Sequence, residues 1–198
     1  MCGIAGLIHP RLNGASASET MVRMLRAQQH RGPDFSGTWT DGSIFLGHNR
    51  LSIIDLSDAA RQPMEYRKKV LVFNGEIYNY IELKKELEGL GHRFYTTSDS
   101  EVLLHAYDQW GAACTAKFVG MWAFVIWDSE RERLFASRDR FGIKPFYYIH
   151  EGDYFYFASE INTLKMSPLF SSELNISQVS RSLQMGWLGY HDETFYSK

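Results

Sequence analysis

The amino terminus reads Met1-Cys2-Gly3-Ile4-Ala5-Gly6, in which a cysteine precedes a short apolar segment that predicts a buried strand. If Met1 is removed, the chain begins with a residue that carries both a thiol and a free α-amine. A thiol must be deprotonated to attack, and an α-amine titrates at about pH 8, so Cys2 can supply both the nucleophile and its base. Taken alone, Cys2 is better explained as a small buried apolar residue, as free cysteines usually are.

Length and composition predict one globular domain. The chain has 198 residues, of which 44% are hydrophobic and 15% aromatic, enough for a substantial core and too many for disorder. The formal net charge is −2 with both signs interspersed, which gives no electrostatic case for nucleic acid or an anionic membrane as partner. Two cysteines do not make the disulfide framework of a secreted protein, and no apolar run approaches the roughly 18 residues of a membrane span. We therefore expect a cytoplasmic location.

Apolar periodicity and turn residues predict both strands and helices. The predicted strands cover residues 3–8, 43–54, 69–73, 121–128, 134–137, 146–149 and 154–158. The predicted helices cover about 19–29, 79–87, 98–110, 160–165 and 176–183. Since Asn74-Gly75 is a strong turn dipeptide, the strand that begins at Lys69 is expected to stop there. Hairpins together with amphipathic helices indicate an α+β domain in which helices cover sheets.

Three polar clusters have both a structural and a functional interpretation. Arg50 lies on a predicted strand, where its planar guanidinium suits a carboxylate, although a surface arginine is the simpler explanation. Asn74 and Gly75 form an ordinary turn pair, or else an amide and a backbone N–H that donate to one oxyanion. Asp99 follows Ser98 at a predicted helix start, where acids are favoured anyway, but it could also bind an ammonium. Combined with Cys2, these groups suit hydrolysis of a free amino acid with a side-chain amide, and we interpret that amino acid as glutamine.

The motifs occur in an order that resembles class II (N-terminal nucleophile) glutamine amidotransferases, and more narrowly the glutaminase domain of glutamine-dependent asparagine synthetases. The segments that carry this resemblance lie at 2–6, 30–34, 48–55, 62–64, 73–80, 97–101, 118–124, 138–148 and 157–161. The sister branches that feed phosphoribosylamine or glucosamine-phosphate synthesis usually show an aromatic residue after the pocket arginine. Here Leu51 follows Arg50, which favours the asparagine-synthetase branch.

The resemblance implies an N-terminal nucleophile hydrolase-like αββα four-layer sandwich, with two stacked antiparallel sheets between helical layers. It also implies that Cys2 is the nucleophile and that its own α-amine is the general base. Asn74, through its side chain, and Gly75, through its backbone N–H, would form the oxyanion hole. Loss of one such donor is expected to cost roughly 10²–10³-fold in rate.

The resemblance further implies how glutamine is held. Arg50 would bind the α-carboxylate of the substrate. Asp99, with the backbone around Glu76, would bind the substrate ammonium. Ile53 and Ile54 would supply backbone contacts to the pocket.

The resemblance extends beyond the domain core. We expect residues 1–198 to form a single type 2 glutamine amidotransferase domain, with its core at about 2–165 and a passage at about 166–198 that leads toward a missing C-terminal synthetase domain. That domain would use ammonia, ATP and Mg to make asparagine from aspartate. The present chain has no Ser-Gly-Gly-x-Asp-Ser loop, so no cofactor is expected in it, and its seven histidines lack the spacing of a metal site. L-glutamine and the synthetase domain are the expected partners; the oligomeric state stays open, with a homodimer as one option.

Two alternatives remain. The ammonia could serve another acceptor, such as a sugar carboxylate in polysaccharide or antibiotic biosynthesis. The domain could instead be a non-catalytic glutamine-sensing module, although Cys2, Arg50, Asn74, Gly75 and Asp99 are all present. The segment 138–148 is interpreted as stabilising the fold rather than as catalytic, and Cys114 as a buried or half-buried bystander.

Overall fold

The computed structural model describes residues 1–10, 14–186 and 193–197. The strands are β1 (Gly3–Ile8), β2 (Phe35–Asp41), β3 (Ile44–Arg50), β4 (Met64–Tyr66), β5 (Lys69–Ile77), β6 (Gly120–Asp128), β7 (Arg133–Arg138), β8 (Tyr147–Glu151) and β9 (Tyr154–Ala158). The α-helices are α1 (Gly14–Ala27), α2 (Tyr80–Gly89), α3 (Asp99–Trp110), α4 (Ile161–Leu164) and α5 (Ile176–Met185). Short 3₁₀ helices cover Gln29–Arg31, Asp58–Ala60 and Gly111–Lys117. None of the helices in these ranges is long and apolar enough to cross a membrane.

The strands form two sheets in which all neighbours are antiparallel. One sheet has five strands in the order β2-β3-β1-β9-β8, and the other has four in the order β4-β5-β6-β7. β1 is the central strand of the larger sheet, paired with β3 on one side and β9 on the other. Cys2 therefore stands directly before the most enclosed strand of that sheet.

Side-chain alternation divides the core into layers. Along β5, Val70 and Val72 join Ile4 of β1 and Phe157 of β9 in a cluster between the two sheets. Leu71 on β5 faces the other way and packs with residues of α2 and α3. A third cluster lies between the larger sheet and the helices α1 and α4. Successive residues of a strand point to opposite faces, so a strand buried on both faces joins two layers. The predicted αββα four-layer sandwich is confirmed.

Several predicted bounds were wrong. The strand predicted to begin at 43 and end at 54 ends at Arg50, because the residues after it turn away into a loop. The first helix begins at Gly14, five residues earlier than expected, and ends at Ala27 before a 3₁₀ turn. The strand β2 was not predicted at all. Its residues are mostly polar or half-exposed, so its composition does not predict a strand. Pairing with β3 at seven positions stabilises it as one.

The turn predicted at Asn74-Gly75 is also wrong, because β5 continues through both residues to Ile77. Asn74 is paired with Ala123, and Gly75 with Trp122, in the ladder to β6. The local preference of Asn-Gly for a turn is overridden here, because β5 forms nine consecutive residue pairs with the buried strand β6. Asn74 is consequently held within a strand that is paired with β6 along its whole length.

Candidate active site

Cys2 is fixed by the backbone of Leu51 and by the side chain of Arg31, which belong to two other segments. The N–H of Leu51 donates to Cys2 Sγ at 3.4 Å, and Sγ lies 3.6 Å from the Leu51 carbonyl oxygen. The carbonyl oxygen of Cys2 accepts from Arg31 Nε at 2.9 Å, and Arg31 in turn reaches Glu160 at 3.0 Å. The thiol is thus held at one position although it stands one residue before the sheet begins.

A cavity of about 540 Å³ opens in front of this thiol. All residues that the sequence assigned to chemistry or substrate binding line it. They are Cys2, Arg50, Ile53, Ile54, Asn74, Gly75, Glu76 and Asp99. They come from the residue before β1, from β3, from the loop after β3, from β5 and from the start of α3, so only the assembled sandwich brings them together.

The environment keeps the Cys2 thiol protonated in its resting state. Burial raises the pKa of this thiol, while the Leu51 N–H bond and the charge of Arg50 act in the opposite direction and Asp99 adds to the rise. A thiol with a raised pKa is a poor nucleophile at neutral pH unless a base removes its proton. A nucleophilic role for Cys2 would therefore require a base beside it.

Asn74 presents a hydrogen-bond donor that nothing in the described chain uses. Its side chain is 1% exposed, and its Nδ2 is buried with no acceptor among the described residues. An unsatisfied buried donor costs roughly 1–3 kcal/mol, so such groups are rare outside functional sites. Nδ2 of Asn74 is available for an oxygen that enters the cavity.

Gly75 is required by the close approach of β6. A Cβ on Gly75 would lie 2.3 Å from the Met121 carbonyl oxygen and 2.8 Å from the Trp122 Cα. Any larger residue would push the two strands apart. The close pairing holds Gly75 directly after Asn74, which keeps both residues in the wall of the cavity.

Arg50 is buried and carries a charge that no carboxylate of the described chain neutralises. It is 7% exposed; Nη1 donates to the Ser57 carbonyl oxygen at 2.9 Å, and Nη2 donates to the Asp55 carbonyl oxygen. The described residues place no Asp or Glu within ion-pair distance of it. The guanidinium is therefore oriented by backbone carbonyls, and its positive charge remains available to bind an anionic group of a ligand.

The loop that orients Arg50 is itself held by the Asp55 carboxylate. Asp55 accepts from Ser57 N at 2.8 Å and from Thr97 N and Oγ1 at 2.9 and 3.0 Å. The bonds from Ser57 and Thr97 hold the pKa of Asp55 well below its usual value. This bridge ties the loop after β3 to the segment before α3, a link that the sequence reading did not identify. The only indication of this link in the sequence was that Asp55 lies in the segment 48–55, which carries part of the family resemblance.

Asp99 and Glu76 place two carboxylates together in the cavity wall. Asp99 is 5% exposed and accepts from Ile77 N at 3.0 Å. Burial and, to a lesser extent, the nearby charge of Glu76 together raise the pKa of Asp99 to about 6, against the opposing effect of the Ile77 N–H bond. Within the described residues neither carboxylate has a cationic partner at ion-pair distance. Such a pair favours binding of a cation.

Two further lining residues were not assigned from the sequence. His48 is fully buried on β3; its Nε2 lies 3.1 Å from the Phe73 carbonyl oxygen, and burial lowers its pKa to about 4, so it is neutral at pH 7. Lys144 lies in the segment 138–148, which sequence reasoning treated as structural. The Gly-x-Lys-Pro sequence around Lys144 does not by itself predict that this lysine is buried.

The remaining sequence assignments concern structural residues. Cys114 is completely buried, and burial raises its pKa to about 12, so it is unreactive. In the ranges 1–10, 14–186 and 193–197, no three His, Cys, Asp or Glu side chains are grouped as a metal site would require.

The sequence matches the family described as "Glutamine amidotransferase domain" over residues 1–198. It is 40% identical to asparagine synthetase [glutamine-hydrolyzing] 3 of Bacillus subtilis over 190 residues, which cover 94% of this chain and 31% of that protein. It is 38% identical to asparagine synthetase B [glutamine-hydrolyzing] of Escherichia coli, over 83% of this chain and 30% of that protein. The chain thus spans about a third of the length of these curated relatives.

The fold also matches a solved structure of lower sequence similarity. Glutamine phosphoribosylpyrophosphate amidotransferase from B. subtilis superposes with a TM-score of 0.71 at 24% identity, over 83% of this chain and 43% of that chain. This likeness supports the sandwich architecture described above. From the match over its whole length, and from relatives at about 40% identity, the chain belongs to the glutamine amidotransferase domain family.

Proposed function

We propose that this domain hydrolyses L-glutamine to glutamate and ammonia through a γ-glutamyl thioester on Cys2. One observation carries the proposal: Cys2 lines the same cavity as Asn74, whose Nδ2 donor has no acceptor among the described residues. A nucleophile and a preorganised donor are the two parts that acyl transfer requires.

The chemistry begins with removal of Met1, which frees the α-amine of Cys2. The amine accepts the thiol proton, and the sulfur attacks the side-chain carbonyl carbon of glutamine. Asn74 Nδ2 and the Gly75 N–H donate to the oxyanion of the tetrahedral intermediate. The proton held by the amine then passes to the leaving nitrogen, so that ammonia departs and the thioester remains. Water, deprotonated by the same amine, hydrolyses the thioester and restores the thiol.

The charged wall of the cavity matches the α-substituents of glutamine. Arg50 binds the α-carboxylate, because its guanidinium has no carboxylate partner in the described chain and carboxylates suit its planar donors. Asp99 and Glu76 bind the α-ammonium, which relieves the repulsion between their two carboxylates. Ile53 and Ile54 contact the substrate from the loop beside Arg50.

For the whole protein we propose the role that its relatives' names describe. The ammonia would pass to an ATP-dependent synthetase domain that makes asparagine from aspartate, with ATP and Mg bound there. Two free cysteines, one of them the proposed nucleophile, suit a reducing cytoplasmic compartment. A sugar carboxylate as acceptor is tested by supplying aspartate and candidate acceptors to the full-length protein and identifying the amidated product.

The test is glutamate release from glutamine by the wild-type chain, Cys2→Ala and Cys114→Ala, with the intact mass of each sample recorded. We expect a wild-type mass without Met1, turnover that disappears in Cys2→Ala, and turnover that persists in Cys114→Ala. Turnover retained by Cys2→Ala would contradict the mechanism. Glutamine binding without turnover, in a chain that begins at Cys2, would identify a sensor instead.

A further inference from the structure

Lys144 is a buried lysine in the wall of the active-site cavity. It is 5% exposed, and its Nζ lies 3.4 Å from Met1 Sδ. Among the described residues no carboxylate lies within ion-pair distance of Nζ. Burying an ammonium without an ion pair is costly, and groups kept in such positions concentrate at functional sites. A functional role for the Lys144 ammonium in this cavity is therefore expected.

The turn that carries Lys144 is organised around the carboxylate of Asp139. Both oxygens accept from backbone N–H groups at 2.9 to 3.2 Å, and the donors are Trp122, Phe141, Ile143 and Lys144. These bonds hold the pKa of Asp139 below its usual value, although burial acts against them. The turn is thus fixed to β6 through the side chain of Asp139.

Arg138 closes the same turn from its other side. Its Nε donates to the Lys144 carbonyl oxygen and its Nη2 to the Gly142 carbonyl oxygen, each at 2.6 Å. Gly142 has φ +62°, a left-handed conformation that favours glycine. All contacts that position Lys144 in the turn use its backbone, so the side chain can be replaced while the turn is kept.

The contact with Met1 places the Lys144 ammonium beside the amino terminus. Its Nζ is no more than about 10 Å from the Cys2 nitrogen, since only the Met1 side chain and one peptide bond separate them. Removal of Met1 takes away the thioether and leaves the new α-amine of Cys2 within about 10 Å of this charge. At such a distance in a partly buried site, a unit charge still acts on a neighbour.

We infer that Lys144 is a positioning residue whose ammonium keeps the Cys2 α-amine neutral and favours the Cys2 thiolate in the processed chain. The inference rests on the proposed glutamine hydrolysis, in which that amine is the base. A nearby positive charge disfavours a second positive charge on the amine and stabilises a negative charge on the sulfur. Both effects make the nucleophile available at neutral pH.

The charged groups around Lys144 are consistent with this role. Burial lowers the pKa of Lys144, and the charge of Arg31 lowers it further. The thiolate of Cys2 and the carboxylates of Glu76 and Asp139 oppose this change and favour the charged form of the lysine. The Lys144 ammonium thus interacts with several charged groups at longer range and, among the described residues, forms an ion pair with none of them.

The test measures the pH dependence of Cys2 alkylation by iodoacetamide in chains that begin at Cys2, with the start confirmed by intact mass. We expect Lys144→Met to raise the apparent pKa of the thiol by about one unit, so that alkylation below the midpoint slows about tenfold. Lys144→Arg keeps the charge and should retain the wild-type midpoint. Lys144→Gln is measured alongside, because it keeps a polar end in the cavity if methionine disturbs folding.

Lys69→Met is the control for loss of a buried lysine far from the cavity, since Lys69 lies on β5 about 17 Å along the strand from Asn74 and is ion-paired with Asp108 at 2.9 Å. It should leave the midpoint unchanged. A midpoint in Lys144→Met and Lys144→Gln equal to that of the wild type would overturn the inference, as would an equal shift in Lys69→Met. Because alkylation needs no glutamine turnover, this result is independent of whether the proposed hydrolysis holds. Where turnover is present, the acidic limb of kcat/KM should move to higher pH in Lys144→Met alone.

Discussion

The backbone N–H of Leu51 donates to Cys2 Sγ at 3.4 Å across 49 positions of sequence. The antiparallel register explains this contact: Gly3 pairs with Asn49, which places Cys2 opposite Arg50, the residue directly before Leu51. The loop that starts at Leu51 also carries the carbonyls that orient Arg50. One strand pair therefore places the proposed nucleophile, Cys2, next to the proposed carboxylate-binding residue, Arg50.

Asn74→Ala should reduce kcat for glutamine hydrolysis by roughly 10²–10³-fold with little change in KM, because the amide is used only when the oxyanion forms. Steady-state glutamate release measures both constants. Since Nδ2 has no acceptor in the described chain, the variant loses no hydrogen bond of that group, and its thermal unfolding midpoint should stay close to that of the wild type. An unchanged kcat would remove Asn74 from the mechanism.

Arg50→Met should raise KM for glutamine on the order of 10²-fold, because one partner of a buried charge-assisted pair is lost. Glutaminamide, which lacks the α-carboxylate, separates this effect from damage to the loop held through Ser57. The variant and the wild type should turn over glutaminamide with similar kcat/KM. If the variant is equally impaired with both substrates, Arg50 acts on the loop and not on the carboxylate.

Gly75→Ala should destabilise the fold by about 1–3 kcal/mol, because its Cβ would meet the Met121 carbonyl oxygen on β6. Urea unfolding followed by fluorescence gives the free energy of unfolding. Gly89→Ala is the matched control, since a Cβ there meets nothing within 4 Å, and it should be neutral or slightly stabilising. Equal stability of the two variants would mean that β6 can yield at Gly75.

Asp99→Asn should stabilise the ligand-free protein at pH 8 while raising KM for glutamine. The pKa of Asp99 in the folded chain, about 6, lies above its ordinary value of 3.8, so the folded state binds more protons between these limits. Stability contributed by the protonated group is full below about pH 4 and is lost as the pH rises through 6. The gain at pH 8 should be on the order of 2 kcal/mol and vanish below pH 4 in urea unfolding. A gain that does not depend on pH would contradict the raised pKa.

In the wild type, KM for glutamine should rise as the pH falls below about 6, because the protonated Asp99 no longer attracts the substrate ammonium. In Asp99→Asn the KM should be high and nearly constant over that range. Initial rates between pH 5 and 8 measure the difference. A wild-type KM that does not change with pH would assign ammonium binding to Glu76 alone.

Much of the fold could be predicted from local patterns. The segment Gly3–Ile8 was predicted with the bounds that the structure shows, because its apolar residues are buried in the middle of a sheet. The start of α3 was predicted from Ser98, whose side chain does accept from Glu101 N. The strand β2 and the continuation of β5 through Asn74 were not predictable, because each depends on pairing with a distant strand.

By itself the sequence determined the residue types of the site and the order of the motifs, since a thiol, a guanidinium, an amide and a carboxylate are covalent properties of the chain. Only the tertiary structure decided that these groups line one cavity, that Asn74 keeps a free donor, and that Lys144 joins them. Those properties depend on burial and on distances across strand pairs and loops. No local pattern contains them, because the positions that meet lie dozens of residues apart.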